Sequence, residues 1–113
     1  MYKIKIYTDR RNKEPFTEWL NSLEKVDRAR IRTRLTRIIT GNFGEYKHID
    51  GKIYEIKFKN RSGYRIYYAF DDDTIVLLLN GGNKGSQEKD IEKAKLYWKD
   101  FIEQKIGTKN ERL

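Results

Sequence analysis

Hydrophobic and polar positions alternate at the start of the chain. Tyr2, Ile4 and Ile6 occupy every second position, and lysines lie between them. A period of two is typical of a β-strand that buries one face. The pattern therefore predicts a strand over residues 2–8.

The next hydrophobic positions have the spacing of an α-helix. Pro15 is of a type favoured at the first helical position, and four apolar residues follow it at i, i+3, i+4 and i+7: Phe16, Trp19, Leu20 and Leu23. This stripe predicts a helix that begins at Pro15 and buries one face.

A second helix is predicted directly after the first. Asp27 has the side chain of an N-cap, and Ile31, Leu35 and Ile38 place apolar groups on one face before Gly41 ends the helix. Because the connection between the two helices is so short, they are predicted to form an αα-hairpin.

Three further strands are predicted after a loop. Residues 41–51 contain three glycines and are predicted to be that loop. Strands over residues 52–59, 64–70 and 74–79, joined by NRSG and DDD, indicate an antiparallel meander. The run IVLLL shows no alternation, so the last of these strands is predicted to be central and buried on both faces.

The end of the chain is predicted to be a glycine-rich loop followed by a helix. The loop is NGGNKG, residues 80–85, and Ser86 is predicted to cap a helix that ends at about Gln104. Residues 105–113 are predicted to be a frayed tail. The predicted order β-α-α-β-β-β-α describes one α+β domain over residues 1–113, with a helical hairpin packed on a small, mostly antiparallel sheet and a C-terminal helix. The inward stripe of that helix is predicted to be Ile91, Ala94, Lys95, Trp98 and Ile102.

Composition favours a polyanionic partner and argues against metal or membrane binding. Lys and Arg number 25 against 17 Asp and Glu, which gives a net charge of +8. Such a surplus favours nucleic acid or an acidic protein. The chain has no cysteine and a single histidine, His48, so we expect no metal and no small-molecule cofactor. No apolar run is long enough to span a bilayer, and we expect a cytoplasmic protein without membrane contact.

The second predicted helix is rich in arginine. Such a face is either solvated surface or a binding site for an acidic protein or ribosomal RNA. The sequence leaves both interpretations open. The arginines, which are opposed only by Asp27, are Arg28, Arg30, Arg32, Arg34 and Arg37.

Alternation along the predicted hairpin brings cations together. If its aromatic and aliphatic residues point into the core beneath the helices, Lys57, Lys59, Arg65 and Tyr67 share one outer face. Like charges directly opposite each other on a sheet cost up to roughly 1 kcal/mol per pair, and Glu55 neutralises only one of them. The arrangement therefore favours an anionic ligand on this face.

These residue types restrict the chemistry that the protein can perform. Lys84 and the backbone N–H groups of the glycine-rich loop add positive charge after the last strand. The sequence contains no recognisable Ser-His-Asp arrangement and no carboxylate cluster for Mg²⁺. Lysine and arginine stabilise a pentavalent phosphate, and lysine also transfers protons. RNA cleavage without a metal fits this set because RNA supplies its own 2′-hydroxyl nucleophile, which DNA lacks.

Five segments, in family order along nearly the whole chain, resemble the RelE/ParE superfamily of toxin–antitoxin killer proteins. Within it the likeness is to the HigB-like, phage Gp49-like group of addiction module killer proteins. The segments are PFTEWLNSL (15–23), RARIRTRLTRI (28–38), GNFGEYKHIDGKIYEIKF (41–58), GYRIYYAF (63–70) and LLLNGGNKGSQEKDIEKA (77–94).

The resemblance implies a fold and a set of partners. The fold is a small α+β domain with a helical hairpin on a mostly antiparallel sheet. The implied activity is cleavage of mRNA in the ribosomal A site, so that the ribosome and mRNA are partners. The implied regulator is a cognate antitoxin, often a helix-turn-helix DNA-binding protein.

The resemblance also implies residue roles. A RelE-type motif of lysine, apolar residue, lysine and then glycine-tyrosine-arginine matches Lys57, Lys59 and residues 63–65. It implies that the two lysines act as base or phosphate clamps and that Arg65 stabilises the transition state. Lys84 matches a basic residue that binds backbone phosphate, which completes the predicted catalytic set. The predicted RNA-binding residues are Arg61, Tyr67, His48, Arg30, Arg34 and Arg37.

One position departs from the RelE pattern. Where RelE has a tyrosine near the start of the final helix, this chain has Ile91, so the general acid stays open among His48, Tyr67 and a second lysine. Our main prediction is a metal-independent, ribosome-dependent mRNA endoribonuclease. The alternatives are a ParE-like toxin that binds gyrase without nuclease activity, and a degenerate toxin that only binds its antitoxin.

Overall fold

The computed structural model describes the backbone of residues 1–111 and the side-chain surroundings of residues 1–107. Its α+β class agrees with the prediction. Within the described residues, no helix combines the length and the apolar character needed to cross a lipid bilayer. The elements are β1 (Lys3–Ile6), α1 (Pro15–Asn21), α2 (Lys25–Ile39), β2 (Tyr46–Asp50), β3 (Ile53–Lys57), β4 (Arg65–Asp72), β5 (Ile75–Gly82), a 3-10 turn (Lys84–Ser86) and α3 (Gln87–Glu111).

The strands form one five-stranded sheet in the order β1-β5-β4-β3-β2. β1 runs parallel to β5, with Lys3 opposite Ile75 and Ile6 opposite Leu78, and the other neighbours are antiparallel. The side chains of residues 76–79 in β5 are completely buried. The prediction of a central strand buried on both faces is therefore confirmed.

Helices cover both faces of the sheet. On one face, α1 and α2 pack on the sheet through Phe16, Leu20, Ile31 and Ile38. On the other face, α3 packs through Ala94 and Phe101 on a second apolar cluster. The sheet residues of that second cluster include Tyr7, Ile53, Tyr67, Leu77 and Leu79.

The predicted outer face of the hairpin is wrong for most of its length, because α3 covers it. Tyr67 is completely buried and Glu55 is 2% exposed. The apolar stripe of α3 has to bury its surface against some face of the sheet, and this was the face still uncovered by the helical hairpin. The face reaches solvent only at the end of β3, where Lys57 is exposed.

Residues 46–50 were predicted to be part of a loop and instead form the edge strand β2. It pairs antiparallel with β3, with His48 opposite Tyr54. Four of its five side chains are exposed. A strand that buries so little leaves no alternation of apolar and polar residues to detect.

The predicted start of α2 at Asp27 is also wrong. The helix begins at Lys25, and its N-cap residue, Glu24, makes no side-chain capping bond. Asp27 lies in the first turn, where its carboxylate accepts a hydrogen bond of 3.0 Å from the hydroxyl of Tyr64. The acidic side chain thus links the helix to Tyr64, the residue directly before β4, instead of capping the helix.

The predicted loop over residues 80–85 is shorter than expected. Gly81 and Gly82 belong to β5, and Trp19 lies so close to Gly81 that a Cβ there would come within 2.2 Å of the indole. Gly81 thus has a packing role within β5, because the absence of a side chain there makes room for Trp19 of α1. Ser86 immediately precedes α3, as predicted, and it closes the 3-10 turn in a capping box with Asn83 while its hydroxyl donates to Asp90 in the first turn of α3.

The final helix is longer than predicted. It continues past Gln104 to Glu111, so the predicted frayed tail is helical over residues 105–111. Residues 112 and 113, which also belong to the predicted tail, lie outside the described residues. Within this stretch Lys105 forms an ion pair of 2.6 Å with Asp71, which attaches the helix to the end of β4.

Candidate functional site

A cleft of about 540 Å³ lies at the end of the sheet where a loop connects β3 to β4. Eight described residues line it, of which five are cationic and none is acidic. We call it the cationic cleft. The structure therefore brings the four predicted catalytic residues together, with one predicted RNA-binding residue. The cations are Lys57, Lys59, Arg61, Arg65 and Lys84, and the other lining residues are Phe58, Asn60 and Gly63.

The loop between β3 and β4 is closed by its own hydrogen bonds. The N–H of Phe58 donates to the carbonyl of Tyr64 at 2.9 Å, and the N–H of Gly63 donates to the carbonyl of Asn60 at 3.1 Å. The side-chain oxygen of Asn60 accepts from the N–H of Tyr64 at 2.9 Å. These bonds fix the loop in a compact turn that projects Lys59 into the solvent at the cleft.

Lys84 reaches the cleft because its turn is tied to this loop. Its N–H donates to the carbonyl of Ser62 at 3.1 Å. Gly63 adopts φ 62°, and a Cβ at that position would lie 3.1 Å from the Cβ of Lys84. Only glycine permits both the left-handed conformation and this close approach without strain. Packing against Lys84 thus explains why a glycine stands at position 63 of the glycine-tyrosine-arginine motif.

Arg65 is held below the cleft by two contacts. Its residue surface is 6% exposed. The Nε atom lies 3.1 Å from a carboxylate oxygen of Glu55, an ion pair without hydrogen-bond alignment, and Nη1 donates to the carbonyl of Gly63 at 2.9 Å. Across the strands Arg65 is directly opposite Lys57. The guanidinium is therefore fixed before any ligand binds.

Glu55 is the residue whose role the sequence reasoning missed. It was expected to neutralise one cation on an exposed face; it does pair with one cation, Arg65, but the pair is buried. Gln87, at the start of α3, donates to the same carboxylate oxygen at 3.2 Å. Alternation alone places Glu55 on the face of Arg65, whereas the contact with Gln87 depends on the packing of α3.

Two candidates for the general acid lie away from the cleft. Burial raises the pKa of the Tyr67 hydroxyl, and the nearby Glu55 carboxylate adds to this. His48 is exposed on β2, and its ring nitrogen contacts the carbonyl of Gly51 at 2.7 Å. Neither residue lines the cationic cleft. Ile91 packs in the apolar cluster beneath α3.

The predicted RNA-binding arginines of α2 fall into two kinds. Arg34 donates to three carbonyls, those of residues 43, 45 and 57, at 3.3, 3.0 and 3.1 Å. Its guanidinium also lies 4.8 Å from the ring centre of Phe58. Arg30 and Arg37 are exposed and line a separate groove on α2. The arginines are thus near the cationic cleft but outside it.

Comparison with known proteins places the chain in a family. The profile of the family described as "Phage derived protein Gp49-like (DUF891)" matches residues 18–99. A protein of Haemophilus influenzae (strain ATCC 51907 / DSM 11121 / KW20 / Rd) named "Uncharacterized protein" is 39% identical over 82 residues, which cover 72% of this chain and 83% of that protein. The Gp49-like family is associated with toxin–antitoxin modules, which supports a toxin role and implies a cognate antitoxin as partner. The chain belongs to the phage-derived Gp49-like family.

Proposed function

We propose that this protein is the toxin of a type II toxin–antitoxin module and that it cleaves mRNA on the ribosome, as a RelE- and HigB-like endoribonuclease. The observation that carries the proposal is the cationic cleft, in which five cations and no carboxylate surround one space. Arg65 is paired with Glu55. The other four cations of the cleft form no ion pair with any described residue, and positive charge of this density costs stability unless an anion shares it. In the proposed role, this anion is a phosphodiester group of the mRNA.

The proposed reaction is an internal transesterification of RNA. The 2′-oxygen attacks the neighbouring phosphorus, the bond from phosphorus to the 5′-oxygen breaks, and the products carry a 2′,3′-cyclic phosphate and a 5′-hydroxyl. One proton leaves the 2′-hydroxyl and one reaches the departing 5′-oxygen. Because the negative charge grows on the phosphorane, cations already in place stabilise the transition state more than the substrate.

The residues of the cleft divide this work in the proposal. Arg65, fixed by Glu55 and the carbonyl of Gly63, stabilises the charge on the phosphorane. Lys84 and Lys59, both exposed, bind the phosphates on either side. Lys57 stands directly across from Arg65 and accepts the proton of the 2′-hydroxyl or clamps the phosphate.

A lysine ammonium is the proposed donor to the 5′-oxygen. Among the described residues that line the cleft there is no histidine, tyrosine or carboxylic acid, and arginine holds its proton too tightly. The tyrosine of the hairpin motif, Tyr64, donates its hydroxyl to Asp27 instead, and burial together with that bond raises its pKa. The departure at Ile91 is thus compatible with cleavage that uses lysine for both proton transfers.

The test is induction of the toxin in cells, followed by primer extension on abundant transcripts. We expect growth arrest and new 5′ ends with the wild type, and loss of both with Lys57→Ala/Lys84→Ala. The matched control is Lys89→Ala/Lys99→Ala, which removes two exposed lysines of α3 that lie outside the cleft. Growth arrest with DNA-damage signalling and no new 5′ ends would instead show a gyrase-binding toxin. New 5′ ends that persist in the Lys57→Ala/Lys84→Ala variant would overturn the assignment of the cleft.

A further inference from the structure

A second groove, of about 620 Å³, runs along the exposed side of α2. Its floor is apolar or small: Val26, Ala29 and Thr33 lie at i, i+3 and i+7 on the helix, and the ring of Phe58 forms the far wall. Val26 is 63% exposed. A soluble helix does not gain from an exposed apolar stripe of this kind unless another surface covers it.

The rim of the groove has one sign of charge. Lys25, Arg30 and Arg37 are exposed along it, and no lining residue is acidic. An apolar floor between cationic edges complements an amphipathic helix that has large apolar residues on one face and Asp or Glu beside them. α2 has 15 residues and is about 22 Å long, enough to receive several turns of such a helix.

The apolar floor favours a protein over RNA as the occupant. Base stacking needs an open aromatic face, but the guanidinium of Arg34 already covers Phe58 at 4.8 Å. Three of the five N–H donors of Arg34 are occupied by backbone carbonyls, and its Nε atom is buried, where a phosphate does not reach it. Phosphates would find only the rim cations, and the floor of Val26 and Ala29 would stay uncovered.

We propose that this groove is the docking site for an acidic amphipathic helix of the cognate antitoxin, an inference that rests on the toxin role proposed above. Phe58 lines both the groove and the cationic cleft. An occupant of the groove therefore lies beside the cleft, where its carboxylates approach Lys57 and Lys59. Docking and neutralisation of the cleft follow from the same placement.

The experiment measures binding of the purified antitoxin, identified as the partner-gene product that suppresses growth arrest, to purified toxin variants. Val26→Glu places a carboxylate on the floor, and we expect the dissociation constant to rise at least about tenfold. Arg30→Glu/Arg37→Glu reverses the rim and is expected to weaken binding similarly. The matched control is Leu96→Glu on α3, since Leu96 is 64% exposed and lies outside the groove. It should bind the antitoxin as the wild type does.

Two results would overturn the proposal. One is unchanged antitoxin binding by Val26→Glu. The other is a rim variant that keeps antitoxin binding but no longer sediments with ribosomes, which would assign the rim to RNA. Thermal melts of each variant serve as the control for an intact fold. Because binding is measured without any cleavage, failure of the endoribonuclease proposal leaves this test unaffected.

Discussion

Arg65 is fixed from two sides by groups of its own chain, Glu55 and the carbonyl of Gly63. Alternation along the strands was enough to place Arg65 beside Lys57, and the register confirms it. It was not enough to show that the same face disappears under α3, because that depends on contacts between residues far apart in sequence. The placement of cations together at the solvent end of the face could thus be predicted, while the burial of Tyr67 could not.

The ion pair of Glu55 and Arg65 should separate stability from function. Glu55→Ala leaves a buried guanidinium without its partner, and we expect a loss of roughly 3–5 kcal/mol in the free energy of unfolding. Glu55→Leu/Arg65→Met removes both charges and is expected to recover most of that stability while toxicity stays lost. Urea denaturation and growth assays measure the two effects. A toxic double variant would show that Arg65 serves the fold alone.

Gly63 should matter more to activity than to stability. Gly63→Ala forces a Cβ into the left-handed region, at a cost of roughly 1–2 kcal/mol, and presses on the side chain of Lys84. Gly51→Ala is the control, because Gly51 has φ 52° and a Cβ there would meet nothing within 4 Å. We expect similar shifts in melting temperature but reduced RNA cleavage only for Gly63→Ala. Equal cleavage by both variants would contradict the role given to the contact with Lys84.

At the scale of elements, the edge strand β2 is the part that the sequence concealed. Its exposed residues carry no hydrophobic period. The sequence pattern of its pairing partner β3 does not indicate that another strand pairs with it. The fixing element is Arg34, which reaches from α2 to the carbonyls of residues 43, 45 and 57. A long side chain from another element decides the structure here, and such a contact has no local signature.

Removal of Arg34 should therefore loosen β2 in particular. Arg34→Ala leaves three carbonyls without their donor, and we expect a loss of roughly 1–3 kcal/mol in the free energy of unfolding. Amide exchange should accelerate most in residues 46–50. Arg30→Ala, which removes an exposed arginine from the same helix, should change stability by less than about 0.5 kcal/mol. Uniform acceleration across the sheet would contradict a local role.

The attachment of α3 to the start of the sheet should depend on pH through Asp100. The hydrogen bond from Tyr7, and those from Arg10 and Gln104, hold the pKa of Asp100 below its usual value of 3.8. The stabilisation is complete above that usual pKa and is lost as the pH falls through the lower value of the folded state. Asp100→Asn should therefore show a smaller loss of stability than the wild type on acidification through this range. Parallel acid unfolding curves for the two proteins would contradict this.

At the scale of the whole molecule, two neighbouring surfaces, the cationic cleft and the groove of α2, hold nine of the 25 lysines and arginines and no acidic residue among their described lining. Composition alone predicted a polyanionic partner but did not indicate how the cations are distributed between these two surfaces. The number of helices followed from hydrophobic periods, the meander from the turn segments NRSG and DDD, and the central strand from the unbroken apolar run IVLLL. The parallel pairing of β1 with β5 did not, because the pattern of a strand does not name its neighbour.

Salt should weaken RNA binding by the cleft, and the size of this effect should report how many lysines contact phosphates. For a 2′-deoxy-substituted oligoribonucleotide, which binds but cannot be cleaved, the logarithm of affinity should fall linearly with the logarithm of salt concentration. Lys57→Ala/Lys84→Ala should reduce that slope by about 0.7 for each lysine that contacts a phosphate. Lys89→Ala/Lys99→Ala serves again as the control. An unchanged slope in the cleft variant would show that its lysines do not meet phosphates.

The pairing of β1 with β5 also governs when the protein can become active during its own synthesis. β1 is made first, yet its partner is residues 75–78, and the cleft needs Lys84 after that. A nascent chain that ends before this turn has lysines on an unsupported hairpin and no cleft. In the proposed toxin role, the ribosome that translates this protein therefore carries a chain without a cleft until β5 and the turn at Lys84 have emerged.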